Sequence, residues 1–528
     1  MLDLLIRNGM VIDGSGTVGV HADIGIRGDR IAAIGNLKGA EARSVIDARD
    51  HVVAPGFIDP HTHTDFTILQ DPFCNSKIRQ GVTTEVAGNC GFSLFPMRPE
   101  KLSLVKSYVG FMPGALDWDW GGYEDIAALL RKTGTAGNFA SLVGHGMARI
   151  MAMDFSSGRP GKGELSVMSE LIGEALAQGA VGLSLGLAYP PGSYAEAEEL
   201  TALARVTHGH PKAVLTAHLR DEGDGVVRSV DEILKVARAT GVPVHISHHK
   251  ATGPANWGKV GETMEMMAAA ARDGLDVTFD VYPYTAGNTT IVSLFPKWSM
   301  DKGVGGLIER LTSERDRIAR EMQAQAKRVG GWERIVVATV KTDENKRFEG
   351  KSIAEIAGER KVDEVSAIID LCKTERGAVN VLLFYIDDQD VKAVMRHPLS
   401  MFGSDGKVLK TDGPLSAGKP HPRNFGAYPR ILSRYVRDEK TLTLPEAIRK
   451  MTSCPAEKFS LAGRGLLKEG YIADITVFDP LAVRDTATFA NPKQYPVGIP
   501  HVVVNGAVVV RDSELTGALP GKVLLRSS

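Results

Sequence analysis

Short runs that alternate apolar and polar positions open the chain, at 4–7, 9–12, 23–27, 30–34, 44–47 and 52–54. Asp-Gly, Gly-Asp and Gly-Asn pairs between them read as hairpin turns. The far end repeats this character at 470–480 and 502–510, so both ends are expected to build one small β-domain. From 56 to about 455 the pattern changes, and β-like runs alternate with apolar positions at helical spacing, the signature of βα units and a parallel sheet. Strands are expected at 52–59, 83–87, 140–143, 181–185, 213–217, 242–247, 276–282 and 399–403, the eight that close a (β/α)8 TIM-like barrel. Helices are expected between them at 123–132, 164–178, 195–208, 229–240 and 260–273. The last connection, 285–398, is far longer than a crossover requires and carries helical stretches at 306–327 and 352–372 around a β-like run at 334–340. It is expected to be an inserted subdomain before the last barrel strand, acting as a lid. The expected organisation is α/β, with a barrel at 56–455 and a small β-sandwich domain built from 1–55 and 456–528.

Composition changes this picture little, but it excludes partners. With 528 residues, 43% hydrophobic, 24% charged and a formal net charge of -1, the chain has no cationic surplus for nucleic acid or an acidic membrane, and neither is expected. A small-molecule substrate fits better. Four scattered cysteines, Cys74, Cys90, Cys372 and Cys454, make no disulfide framework and fit a reducing, cytoplasmic compartment. The first apolar run is too short for a signal peptide, and no stretch approaches the roughly 18 to 20 apolar residues that span a bilayer.

The candidate chemistry begins at Pro55-Gly-Phe-Ile-Asp-Pro-His-Thr-His-Thr-Asp65. Alternate side chains of an extended segment leave the same face, so His61 and His63 can reach one metal. In TIM barrels functional residues sit at the C-terminal ends of strands. That rule selects Cys90, His145, His218, His248 and Asp405. Each has a plainer reading: Cys90 as a small buried hydrophobe, His145 as part of a tight turn between glycines, His218 and His248 as hydrogen-bonded core residues, Asp405 as a Ser-Asp-Gly turn. His249 should face away from His248, and His208 and His210 sit at a helix-to-turn boundary; all three are set aside. Together the selected thiol and imidazoles are good zinc donors, and a carboxylate beside a catalytic metal can shuttle protons.

The run from Pro55 to Asp65 resembles the first-strand signature of the amidohydrolase superfamily, metal-dependent hydrolases on a TIM barrel. Many members carry a strand 4 lysine that bridges two metals once carboxylated, and residues 184–189 offer none. Instead Gly88-Asn-Cys-Gly-Phe-Ser93 is similar to the cysteine-bearing motif of the N-acyl-D-amino-acid deacylases, the D-aminoacylases. The likeness runs nearly end to end, through Gly144-His-Gly146, Ser247-His-His-Lys250, Gly403-Ser-Asp-Gly406 and Gly470-Tyr-Ile-Ala-Asp474. It implies a tight zinc on Cys90, His218 and His248, and an adjacent weaker metal position formed by His61, His63 and Asp405, with Cys90 shared. Asp405 would be general base and acid; Lys250 and Tyr282 would hold the substrate, with Tyr284 as the alternative to Tyr282; Arg423 would pair with the α-carboxylate; His145 and Ser184 would line the substrate site. The implied reaction is zinc-dependent hydrolysis of N-acyl-D-amino acids to a carboxylate and a free D-amino acid. A cyclic amidohydrolase of the dihydroorotase or hydantoinase kind, a D-residue dipeptidase, and a scaffold that has lost its metal are the other readings.

Overall fold

The computed structural model of the protein describes residues 1–114 and 116–526. Residue 115 and the end of the expected 456–528 segment, 527–528, lie outside the described residues. The two chain ends meet in one nine-stranded sheet. Leu2–Val11 pairs with Val20–Arg27, Ala42–Asp47 and Val52–Pro55, and Ile475–Phe478 joins antiparallel to Val52–Pro55 and leads on to His501–Val504 and Ala507–Arg511. Its inner positions, among them Leu4, Ile24, Val53, Ile475 and Val503, form an apolar cluster of their own.

The expected strand at 52–59 serves two sheets rather than one. Val52–Pro55 belongs to the nine-stranded sheet, whereas Phe57–Asp59 pairs in parallel with Val82–Ala87. Gly56 makes the passage possible, since a Cβ there would lie 2.2 Å from Thr83 Oγ1. Val82–Ala87 pairs in parallel with Asn138–Ser141. A second parallel sheet runs Val143–Gly144, Gly182–Gly186, Val214–His218, Val244–Ile246, Val277–Val281, Ser400–Phe402. These strands are buried almost throughout, which is why they read as continuous apolar runs. A parallel bridge between Thr62 and Gly406 brings the segment after the first parallel strand beside the segment after the last. The helices Tyr123–Thr133, Lys162–Ala177, Ala197–His208, Val226–Thr240 and Val260–Arg272 fall between strands, as expected.

The long connection holds a small antiparallel sheet, Gly287–Thr290, Asn380–Leu383 and Ile335–Thr339, with a separate apolar cluster drawn from residues such as Leu307, Ile318, Phe348 and Ile368. Both helices expected there are broken in two. The stretch 306–327 breaks at Glu314 into Gly303–Ser313 and Arg315–Val329, after a Thr-Ser pair of weak helix formers. The stretch 352–372 breaks into Ile353–Arg360 and Glu364–Thr374, because Lys361 turns left-handed at φ 55° and the Asp363 carboxylate accepts from Ser366 N to start a new helix. The helix Asp388–Arg396, inside the expected insertion, instead packs Val391, Val394 and Met395 into the main core.

Beneath the meeting point of the strand ends lies a fully buried ion cluster. Lys77 Nζ donates to Asp59 Oδ2 at 2.7 Å and Ser404 Oγ at 2.6 Å, and sits 3.4 Å from Glu85 Oε2. Asp59 Oδ1 in turn accepts from Ser404 N at 2.9 Å. Replacing Lys77 leaves two carboxylates buried without a counterion. Lys77→Met is therefore expected to cost about 3–5 kcal/mol, read as an earlier urea unfolding transition; an unchanged transition would show that the cluster does not hold the strand ends together.

Candidate metal centre

Parallel strands all end on one edge, so residues just past their C-termini converge. His61 and His63 follow Phe57–Asp59, Cys90 follows Val82–Ala87, His218 closes Val214–His218, His248 follows Val244–Ile246, and Asp405 follows Ser400–Phe402. The structure brings all six together. Cys90 Sγ lies 3.2 Å from His61 Nε2 and 3.4 Å from His248 Nε2, and Asp405 Oδ1 lies 3.2 Å from His63 Nε2 and 3.7 Å from His61 Nε2. Among the described residues three overlapping donor groups have their ligand atoms within 4.8 Å of one another: His61, His63, Cys90; Cys90, His218, His248; and His61, His248, Asp405.

Local backbone sets this geometry. Cys90 is left-handed at φ 56°, between Gly88 and Gly91, both at φ 77°. The turn lies directly on Gly186, where a Cβ would fall 2.0 Å from Cys90 O. Ser184 pins it from below, its hydroxyl donating to Gly88 O and accepting from Gly91 N at 3.1 Å. Ser184 therefore faces the cysteine turn and does not line the cavity, contrary to the expectation of a substrate contact. His145 is also corrected. It begins the helix His145–Met153 and its Nε2 meets Glu199 Oε1 at 2.8 Å, with Arg149 on the other oxygen of Glu199. Burial raises the Glu199 carboxyl, but His145 and Arg149 bring it down to about 2. This is a buried structural network away from the cavity wall.

Two carboxylates essential to the geometry escaped the sequence reading. Asp280, on Val277–Val281, holds His61 Nδ1 at 3.1 Å and His245 Nε2 at 2.9 Å through Oδ2, and accepts from His248 N at 3.0 Å through Oδ1. Burial disfavours its charge, yet His61 and His245 hold it well below the ordinary carboxylate range. Glu222 meets His248 Nδ1 at 3.0 Å and Lys250 Nζ at 2.6 Å. Asp280 shares a strand face with Thr278 and Tyr282 in the largely buried run Val-Thr-Phe-Asp-Val, and an acidic residue inside such a run was the available signal.

The electrostatics suit a cation. Burial alone would raise the Cys90 thiol, but His61 and His248 pull it well below its usual value; burial would lower His61, but Asp280 and Cys90 raise it well above. The imidazole protons are what an incoming metal would displace. The donor set fits: one thiolate, four imidazoles, one carboxylate, with the second nitrogen of His61 already oriented by Asp280.

His63, Cys90, His218, His248 and Asp405 form the floor of a cavity of about 1220 Å³, with His61 buried behind them. Lys250, Tyr282 and Arg423 line it, whereas Tyr284 faces a different, much smaller cavity. The Tyr282 hydroxyl is buried without a hydrogen-bond partner among the described residues, and Arg423 stacks over its ring at 5.0 Å. Arg423 Nη1 also lies 2.9 Å from Asp405 Oδ2. Burial raises Asp405, but Arg423 and His63 hold it ionised, well below its ordinary value. Lys407 completes this end; burial and Arg423 lower its ammonium to about 8. His249 points away to Thr263 Oγ1 at 2.8 Å, and His208 is exposed. Among the described residues no helix is long and apolar enough to cross a membrane.

A model of the amidohydrolase family matches residues 44–510. The chain is 39% identical over 530 residues to an N-acyl-D-glutamate deacylase of Alcaligenes xylosoxydans xylosoxydans, covering 100% of this chain and 97% of that protein. It is 38% identical over 531 residues to a D-aminoacylase of the same organism, covering 100% and 98%. Among solved structures, an N-acyl-D-glutamate deacylase from Bordetella bronchiseptica, complexed with zinc and a phosphonate that mimics the tetrahedral intermediate, superposes with a TM-score of 0.84 at 35% identity, over 99% of both chains.

If Asp280 orients the ligand imidazoles, Asp280→Asn should weaken divalent-metal affinity roughly 10–100-fold. Competition against a chromophoric chelator measures this. Unchanged affinity would mean that the ligands need no such support.

Proposed function

The chain belongs to the amidohydrolase family, in the branch of N-acyl-D-amino-acid deacylases, and from that premise we propose that it hydrolyses the linear amide bond of N-acyl-D-amino acids in a zinc-dependent reaction. The observation that carries this is the convergence of Cys90, four histidines and Asp405, all but the fully buried His61 lining the floor of one cavity. Cys90, His218 and His248 would hold the tighter zinc, and His61, His63 and Asp405 the weaker neighbouring position. When bound, zinc acidifies water to a pKa near 7 and polarises a carbonyl.

The protein's own residues do the rest. Arg423, Lys250 and Tyr282 line one wall and take the substrate α-carboxylate, for which a planar guanidinium is a bidentate partner. Asp405, ionised and fixed between His63 and Arg423, removes a proton from the water that attacks the acyl carbon. As the new C–O bond forms and the C–N bond breaks, Asp405 delivers that proton to the departing amine.

We read the two parallel sheets as arcs of one closed eight-stranded barrel, with Asn138–Ser141 and Val143–Gly144 as one strand interrupted at Leu142 and the Thr62–Gly406 bridge at the closing seam. The nine-stranded sheet is read as a domain of 1–55 and 456–526, and 287–383 as the inserted subdomain. Asn288, Leu294, Phe295, Asn380 and Leu383 of that insertion wall the cavity, which supports its role as a cover that excludes water. The four cysteines are all free thiols, which favours the cytoplasm as the site of action.

Purified protein is expected to contain zinc and to release amine from N-acetyl-D- but not N-acetyl-L-amino acids, with activity lost on chelation and restored by zinc. Asp405→Asn should lower kcat roughly 10²–10⁴-fold with the tighter zinc retained. Zinc-dependent opening of cyclic amides without turnover of linear D-substrates would overturn the proposal.

A further inference from the structure

Two of the cations at the metal end of the cavity are already matched by carboxylates. Arg423 Nη1 lies 2.9 Å from Asp405 Oδ2, and Lys250 Nζ donates to Glu222 Oε1 at 2.6 Å and to His248 O at 2.7 Å. Lys407 is different. It lines the same cavity beside His63, Asp405 and Arg423 and is only 8% exposed. Among the described residues its ammonium makes no hydrogen bond and no ion pair, and Asp405 and Asp65 attract it only from beyond ion-pairing distance. Its backbone is firmly held, with the main-chain N–H donating to Asn424 Oδ1 at 2.8 Å and the carbonyl accepting from Ser76 Oγ at 3.4 Å. Asp65 is buried nearby, but both of its oxygens lack partners and it does not line the cavity.

A desolvated ammonium without an acceptor is costly, and closing a ligand over it raises that cost. On the function proposed above, on which this inference rests, the α-carboxylate is taken by Arg423, Lys250 and Tyr282. A neutral D-side chain would then seal Lys407 in unpaired, whereas a second carboxylate would meet it. We propose that Lys407 is a specificity-determining residue that binds a side-chain carboxylate, so that the preferred substrates are N-acyl derivatives of acidic D-amino acids.

The test compares kcat/KM of the zinc-loaded enzyme for N-acetyl-D-glutamate and its near-isosteric amide N-acetyl-D-glutamine, with N-succinyl-D-leucine as a substrate whose second carboxylate sits on the acyl group. Wild type is expected to favour glutamate over glutamine by at least roughly tenfold, a charge-assisted hydrogen bond being worth about 10- to 100-fold. In Lys407→Met that ratio should fall by the same factor, carried mainly by KM of the acidic substrate, and Lys407→Arg should restore most of it; zinc content reports folding in each variant. Equal turnover of glutamate and glutamine by wild type, a ratio unmoved in Lys407→Met, or preference for the succinyl substrate would each overturn the assignment. Failure of the zinc-loaded wild type to hydrolyse any N-acyl-D-amino acid would instead overturn the deacylase reading, and this one with it.

Discussion

Everything at this site depends on one thiolate held among imidazoles. Cys90 Sγ is within hydrogen-bonding reach of His61 and His248, and the chain around it has little freedom: a left-handed cysteine between two left-handed glycines, lying on Gly186 and tied down by Ser184. Backbone strain of this kind persists only where the surroundings over-determine it. The strain is offset by apolar packing of strands that are buried along their length. The reactive position is thus fixed by the parallel strands and not by a mobile loop, which is the condition for a ligand set to stay organised before metal arrives.

Charge is buried around that thiolate in a definite order. Asp280 orients His61, His245 and the backbone of His248 from inside the sheet, and below it Lys77 joins Asp59, Glu85 and Ser404 where the first and last parallel strands meet. His145, Glu199 and Arg149 form a third group under the cysteine turn. Buried pairs of this kind are weak arguments for stability, because desolvation consumes much of the Coulomb gain. Their value here is positional. Removing one partner strands the other, so each group enforces a single arrangement of strand ends.

The part of the site legible in the sequence was the part that repeats at strand ends. His61, His63, Cys90, His218, His248 and Asp405 each follow an apolar run, and the parallel topology brings them together. His145 and Ser184 obey the same rule yet point elsewhere, because a strand end has two faces: His145 opens a helix, and Ser184 supports the turn that follows Val82–Ala87. Asp280 was hidden because strand alternation places it on the same face as Thr278 and Tyr282 without saying which group it meets. Helix breaks at Glu314 and Lys361 were hidden for another reason, since one or two non-helical residues interrupt the periodicity only locally, with a side-chain cap at Asp363 marking the second break alone. The run 52–59 misled most. Its unbroken apolar pattern concealed a transfer between two sheets at Gly56, where only a glycine fits against Thr83.

The same architecture separates reaction from recognition. The ligands come from strand ends that are braced on both sides, so their positions cannot adapt to different substrates. The opposite wall, from Asn288 to Leu383, belongs to a segment with its own apolar core, and it meets the cavity through residues that are not part of the ion clusters. Substitutions there can change the cavity's shape without disturbing Cys90 or Asp280. Lys407 and Arg423 stand between these regimes, close enough to Asp405 to share its field and open enough to meet a ligand. A charge in that position acts on both binding and the proton carrier, which makes the segment from Asp405 to Arg423 the point at which side-chain preference and turnover are physically coupled.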